Sequence, residues 1–151
     1  IQKRSLRDYQ TSIGANVLGY IAEVNNKEIA KDSYYRLGDL IGKQGVEISY
    51  EKILRGVKGV KYIQKDIYNR DIGAYKQGAF DTLPIPGKDI KITIDSELQA
   101  YGELLMQNKI GGIVAIEPRT GEILSLVSAP SYNPNLLVGR ERSKNYTKYH
   151  G

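Results

Sequence analysis

Residues 112–128 limit what this chain can fold into more than any other part of the sequence. Two apolar runs, 113–116 and 123–127, flank the turn 117–122, in which Gly121 suits the left-handed position of a bulged hairpin. Neither run alternates apolar and polar residues, so both faces of the predicted hairpin need a cover. The sequence offers only one amphipathic helix beside it. We therefore expect this hairpin to come from a longer protein that supplies the second cover.

The first residue and the only methionine favour the same interpretation. The chain starts at Ile1 and its single methionine is Met106. No apolar run approaches the roughly 18 residues of a membrane span, and no signal-peptide pattern is present. We expect the chain to be a piece excised from a longer polypeptide.

The composition describes a globular chain and excludes several kinds of chemistry. Of the 151 residues, 40% are hydrophobic and 26% are charged, which is typical of folded domains. The absence of cysteine excludes disulfides and thiolate catalysis, and the lone His150 cannot form a metal cluster. We predict no metal and no cofactor. The net charge of +5 comes from lysine and arginine interleaved with acids, which favours a solvated surface over nucleic-acid binding. A surface facing anionic lipid or an anionic polymer stays open.

Hydrophobic periodicity and glycine placement predict the elements before residue 87. Strands are expected over residues 17–24, 60–68 and 74–83, and a helix over residues 46–55. Residues 25–38 favour a short helix or a turn. Gly56 suits the end of the predicted helix. The segment Pro84-Ile85-Pro86-Gly87 interrupts both helix and sheet, and we place a domain boundary there.

A different pattern begins after that boundary. Apolar and polar residues alternate over residues 90–94, which predicts a strand with one solvent-exposed face. A helix follows, for which Ser96 and Gln99 have the spacing of a capping box. The apolar hairpin comes next, and prolines at 130 and 134 then predict a loop.

Two clusters of residues resemble class B penicillin-binding proteins, in particular the elongation-type members. The division-type members are the nearest alternative. The first cluster matches the family stretch G-x-x-G-x-E…Y-E…L-R-G through Gly42-Lys43-Gln44-Gly45-Val46-Glu47, Tyr50-Glu51 and Leu54-Arg55-Gly56. The second resembles the start of the family's transpeptidase domain through Thr93-Ile94-Asp95, Leu98-Gln99, the hairpin, and Pro130-Ser131-Tyr132-Asn133-Pro134-Asn135.

The resemblance implies an α+β fold in two parts. Residues 1–86 would be the non-catalytic pedestal, a dimerisation-type domain. Residues 87–151 would supply the first strand, helix and β-hairpin of an incomplete transpeptidase domain. The parent would be a serine-type peptidoglycan D,D-transpeptidase of cell-wall elongation and cell shape, anchored on the periplasmic face of the bacterial inner membrane.

The resemblance also implies partners. The parent would act on peptidoglycan stem peptides and be acylated by β-lactams. Its pedestal would bind a scaffold protein and a glycosyltransferase of the elongation machinery, and nucleic acid is not expected. The piece itself could also associate with a second copy.

The family's reaction needs a serine and a lysine spaced S-x-x-K, together with S-x-N and K-[ST]-G. Ser49 and Lys52 match S-x-x-K, but about one such match is expected by chance, and they lie in the pedestal cluster. Residues 131–133 and 143–145 match S-x-N, and K-[ST]-G is absent. We therefore assign no catalytic residue here, and we expect the nucleophile C-terminal to Gly151.

Three other functions are alternatives to this one. A stand-alone interaction module of the cell-wall machinery, without enzymatic descent, is the main alternative. A basic nucleic-acid-binding protein is a minor one, since no basic stripe exists. A glycosidase would need two facing carboxylates. The candidates are Glu47, Glu51, Glu117 and Glu122.

Overall fold

The structure, a computed structural model, describes residues 8–138 and residue 145. The described chain forms two compact units. Unit 1 combines residues 8–51 with the described residues after 90, and unit 2 is residues 52–90. These units are defined by contacts, whereas the predicted boundary after residue 86 separates functional domains. That boundary stays a prediction.

The beginning of unit 1 corrects the strand predicted over residues 17–24. Helix α1 occupies Ala15–Leu18, and strand β1 is confined to Ile21–Glu23. Gly19 lies between them with a φ of 81°, which neither a helix nor a strand accommodates. β1 pairs antiparallel with β2, Leu40–Gly42.

Helix α2, Asn26–Lys31, connects these two strands and begins with a capping box. The side chain of Asn25 accepts a hydrogen bond from the backbone of Glu28 at 3.0 Å, and the Glu28 carboxylate accepts one from the backbone of Asn25 at 2.7 Å. The Nζ atom of Lys43 lies 2.6 Å from the same carboxylate. The helix begins early in the predicted region of residues 25–38 because Asn25 supplies the cap.

We expect low pH to destabilise the part of unit 1 around Glu28. Burial raises the pKa of Glu28, but the hydrogen bonds from Lys43 and from the Asn25 backbone outweigh it, so this pKa lies below 4.5. A lowered carboxylate pKa contributes stability above the unfolded-state value, and that stability is lost as the pH falls through the folded-state value. Glu28→Gln should therefore destabilise the chain by about 1 kcal/mol at neutral pH and by less at an acidic pH below the folded-state pKa. Urea unfolding at both pH values measures this.

The matched control is Glu97→Gln, because Glu97 is also acidic and its side chain is exposed. We expect the control to be nearly neutral at both pH values. An equal loss from Glu28→Gln at both pH values would contradict the role assigned to the charge.

The helix predicted over residues 46–55 is interrupted. Helix α3 spans Gly45–Ser49 and helix α4 spans Glu51–Leu54. Tyr50 lies between them with φ −114° and ψ 17°, outside the α-helical region. Gly56 has a positive φ at the end of this segment, as predicted.

The apolar hairpin forms as predicted. Strand β5 is Gly111–Ile116 and strand β6 is Ile123–Ala129, paired antiparallel with an irregularity next to Ile116. Gly121 takes the predicted left-handed conformation, with a φ of 76°. We call β5 and β6 together the ribbon.

Helix α5, Ser96–Leu105, packs on one face of the ribbon. Gly102 permits close approach, because a Cβ there would lie 2.7 Å from a methyl carbon of Val127. Val127 is only 2% exposed. On the other face, Val114 and Ile116 are 56% and 55% exposed. Nothing within residues 8–138 covers that second face.

Two predictions next to α5 are wrong. The helix is capped by Asp95, whose side chain accepts hydrogen bonds from two backbone N–H groups, and Ser96 and Gln99 form no capping box. Residues 90–94 form no strand, so the predicted first strand of the transpeptidase part is absent. Thr93 reaches β6 only through its hydroxyl, which donates to the carbonyl of Ile123. A ladder requires backbone hydrogen bonds in series.

Unit 2 is a small hairpin with shorter strands than predicted. Strands β3, Ile63–Lys65, and β4, Asp71–Ala74, pair antiparallel, and every residue in both strands is exposed. A 3₁₀ turn follows at Tyr75–Gly78. Val57 bridges to Ile85 within the predicted linker. The linker is therefore tied into unit 2 by backbone hydrogen bonds rather than left free.

Candidate functional site

A buried glutamine connects α5 to the ribbon. Gln99 is 2% exposed, and its side-chain oxygen accepts hydrogen bonds from the backbone of Leu126 at 2.9 Å and from the hydroxyl of Ser125 at 3.1 Å. Its side-chain nitrogen donates to the carbonyl of Leu126 at 3.1 Å. The amide thus satisfies both backbone groups of one residue on the outer edge of β6. This is the structural role of Gln99, the glutamine of the Leu98-Gln99 pair that resembles the family motif.

Glu103 extends this network to the N-terminal part of unit 1. Its carboxylate accepts a hydrogen bond from the side chain of Gln99 at 3.0 Å and one from the backbone of Gly14 at 2.7 Å. A charged acceptor makes both bonds stronger than neutral ones. Residues separated by about 90 positions in the sequence are joined through one carboxylate.

The glutamates of the first cluster are also used structurally. Glu47 is 5% exposed, and its carboxylate accepts a hydrogen bond from the hydroxyl of Tyr9 at 3.0 Å. Glu51 accepts hydrogen bonds from the hydroxyl of Tyr35 at 2.8 Å and from the backbone of Gly42 at 2.9 Å. Both carboxylates hold structural hydrogen bonds within unit 1.

Gly42 in the same cluster is explained by packing. A Cβ at Gly42 would overlap the carbonyl of Glu47. Strand β2 therefore approaches α3 closely enough to exclude any side chain at this position. Direct contact between their backbones sets the distance between β2 and α3.

The remaining candidate carboxylates lie at the ribbon turn. The carboxylates of Glu117 and Glu122 accept hydrogen bonds from the turn residues Arg119 and Thr120, respectively. Both side chains belong to the turn and do not face each other across a cleft.

The structure separates the two members of the S-x-x-K match. Ser49 is the last residue of α3, and its hydroxyl donates to the carbonyl of Gly45 at 2.9 Å. Lys52 lies on α4, beyond the interruption at Tyr50. Both side chains are exposed. The assignment of no catalytic role to this pair stays a prediction.

The other predicted motif residues lie in the ribbon's neighbourhood or outside the described chain. Ser131 helps line a cavity of about 740 Å³ between the end of α5, the loop after β6 and residues 12–13. Of the second S-x-N match, only Asn145 is described, and it donates to the carbonyl of Leu136. His150 lies outside the described residues.

Metal-binding clusters and membrane-spanning helices are both absent from residues 8–138 and residue 145. No group of three or more His, Cys, Asp or Glu side chains among them could hold a metal ion. Within the same residues, every helix is too short or too polar to cross a bilayer.

Sequence reasoning missed Glu103 and misassigned Gln99. The signal that could have found them is their spacing of four, which places both on one helical face together with Gly102. Two polar side chains on the face that a glycine brings against a sheet have to be hydrogen-bonded.

A match to a known protein family shows which family this chain belongs to. A family model described as the penicillin-binding protein dimerisation domain matches residues 1–92. The chain belongs to this family. The resemblance to penicillin-binding proteins is therefore confirmed, and so is the mixed α/β pedestal with small sheets.

Similar proteins are known in sequence and in structure. The peptidoglycan D,D-transpeptidase MrdA of Acinetobacter baumannii is 42% identical over 136 residues, which are 88% of this chain and 20% of that protein. Penicillin-binding protein 2 of Helicobacter pylori, solved in complex with MreC, matches 95% of this chain at 27% identity with a TM-score of 0.75. A structure of a peptidoglycan synthase complex matches 97% at 27% identity with a TM-score of 0.71.

The chain spans only part of these relatives. It covers 20% of the Acinetobacter protein, 26% of the Helicobacter chain and 28% of the synthase-complex chain. The matched pedestal domain ends at residue 92, so α5 and the ribbon lie beyond it. The network through Gln99 and Glu103 therefore joins the pedestal family domain to residues that follow it.

Proposed function

We propose that this chain forms the pedestal and the first transpeptidase elements of a peptidoglycan D,D-transpeptidase that acts in cell-wall elongation. The observation that carries the proposal is the family match over residues 1–92 together with the 42% identity to MrdA. The pedestal would occupy residues 1–86, and the parent protein would be anchored at the periplasmic face of the inner membrane. Its substrates would be peptidoglycan stem peptides, with β-lactams as inhibitors.

The role of the pedestal in this proposal is to bind partners. The solved relative from Helicobacter pylori is a complex with MreC, and another relative is part of a peptidoglycan synthase complex. We infer that this chain contacts a scaffold protein of the MreC type and a glycosyltransferase. The many exposed aliphatic and aromatic side chains support a role in binding proteins.

We assign the catalytic serine and lysine to another part of the parent protein. The hydroxyl of Ser49 bonds a backbone carbonyl, and Lys52 lies on a different helix. We therefore place the acylated serine outside the described residues of this chain. A stand-alone module that binds proteins without enzymatic descent is disfavoured by the identity to MrdA across α5 and the ribbon.

The direct test is binding to the MreC-type protein encoded by the same genome. The immobilised chain should bind it reversibly and saturably in biolayer interferometry. A chain carrying Gly19→Ala, which we expect to lose the fold of unit 1, is the control for binding by unfolded chain. Equal signal from this variant, or no saturable binding by the intact chain, would contradict the proposed role.

A further inference from the structure

The segment that leads into α1, together with the first residues of that helix, is hydrogen-bonded to residues far along the chain. We call residues 8–16 the strap. At its beginning, the backbone of Tyr9 donates to the side chain of Asn135 at 3.0 Å, and the Asn135 side chain donates back to the carbonyl of Tyr9 at 2.8 Å. This reciprocal pair spans 126 positions in the sequence. It fixes the strap to the 3₁₀ turn Pro134–Leu137, which lies in the loop region after the ribbon.

Two further anchors lie at the other end of the strap. The backbone of Gly14 donates to the carboxylate of Glu103 on α5 at 2.7 Å. The side chain of Asn16 donates to the carbonyl of Ser128 at 3.0 Å, near the end of β6. The strap is therefore fastened to a helix, a strand and a loop.

One anchor of the strap shares its hydrogen-bond partner, Glu103, with the network that holds the ribbon. Glu103 bonds both Gly14 and Gln99, and Gln99 in turn holds both backbone groups of Leu126. Apolar packing follows the same path, because Ala15 packs in a buried cluster with Leu137. Groups that share hydrogen-bond partners and packing lose order together.

We propose that the strap is a conformational coupling device between the pedestal and the ribbon. Its anchors form and break together, so that displacing the strap at Tyr9 loosens β6 through Glu103 and Gln99. A partner that binds or displaces the strap thereby changes how well ordered the first transpeptidase elements are. The coupling is a property of this chain alone, and only its use by a partner rests on the proposed function.

Amide hydrogen exchange by NMR tests the coupling on the 151-residue chain. The backbone amides of Gly14 and Leu126 are the probes, because each donates to a side chain of the network. Asn135→Ala removes the anchor at Tyr9 and touches neither probe. We expect exchange at both probes to accelerate roughly tenfold, since two hydrogen bonds are lost. Asn26→Ala makes the same exposed change on α2 and should leave both rates unaltered.

A second variant breaks the network at the acceptor that Gly14 and Gln99 share. Glu103→Ala removes the shared acceptor, and we expect the Leu126 amide to exchange at least about tenfold faster. Unchanged exchange at Gly14 and Leu126 in Asn135→Ala would overturn the coupling, because the anchors would then be independent. The absence of protection at Leu126 in the unsubstituted chain would overturn it as well. None of these outcomes depends on the proposed function.

Discussion

Gly19→Ala is expected to remove about 4 kcal/mol or more from the stability of unit 1, which is most of the stability of a chain near the lower end of the usual range. Two effects add at this position. The φ of 81° costs any residue with a Cβ about 1 kcal/mol. The added Cβ would also fall on the carbonyl oxygen of Gln44, far inside the 3.0 Å that real Cβ atoms keep. The neighbour is backbone, so no side chain can rotate away to relieve the overlap.

The matched control, Gly121→Ala, separates the cost of the backbone conformation from the cost of the steric overlap. Gly121 has nearly the same φ, 76°, and a Cβ there would meet nothing within 4 Å. Gly121→Ala should therefore cost only about 1 kcal/mol, the part due to φ. Urea unfolding followed by circular dichroism measures both variants. Similar losses from the two would show that the approach of residue 19 to Gln44 is not as close as described.

Gln99→Leu is expected to destabilise the chain by about 3 kcal/mol. Leucine has a similar size and suits a helix, so neither a large cavity nor lost helix propensity explains the effect. What is lost is the amide that satisfies the N–H and the carbonyl of Leu126 and the hydroxyl of Ser125. Each buried group left without its partner costs about 1–3 kcal/mol. The loss should appear as a lower urea midpoint with little change in slope.

Gln107→Leu is the control for this substitution. Gln107 follows α5 and its side chain is exposed, so the same chemical change there should stay within about 0.5 kcal/mol. If both glutamine variants behaved alike, the role given to the buried amide would be wrong.

Local sequence signals predicted the parts of this fold that depend on neighbouring residues. The ribbon was recognisable because two apolar runs flank a turn whose glycine takes a left-handed conformation. The end of the α3–α4 segment at Gly56 was predicted for a similar reason. The resemblance to penicillin-binding proteins was carried by spaced polar and glycine residues and was confirmed by the family match.

Several of the wrong predictions arise where contacts with residues far along the chain decide the local structure. Gln99 suited a capping box by spacing, yet its side chain is buried against β6 while Asp95 caps the helix. Residues 90–94 alternate like a strand, but Thr93 bonds to β6 through its side-chain hydroxyl, and no backbone ladder forms. The predicted strand over residues 17–24 is divided at Gly19 by close approach to Gln44.

The sequence alone determined the family, the ribbon and the need for a second cover on its apolar face, because periodicity, turn chemistry and motif spacing are local. Val114 and Ile116 remain exposed on that face. Tertiary structure alone decided which polar groups meet, namely Glu103 with Gly14 and Asn135 with Tyr9. No pattern along the chain encodes those pairs, since a hydrogen bond between distant residues depends on how the backbone between them folds.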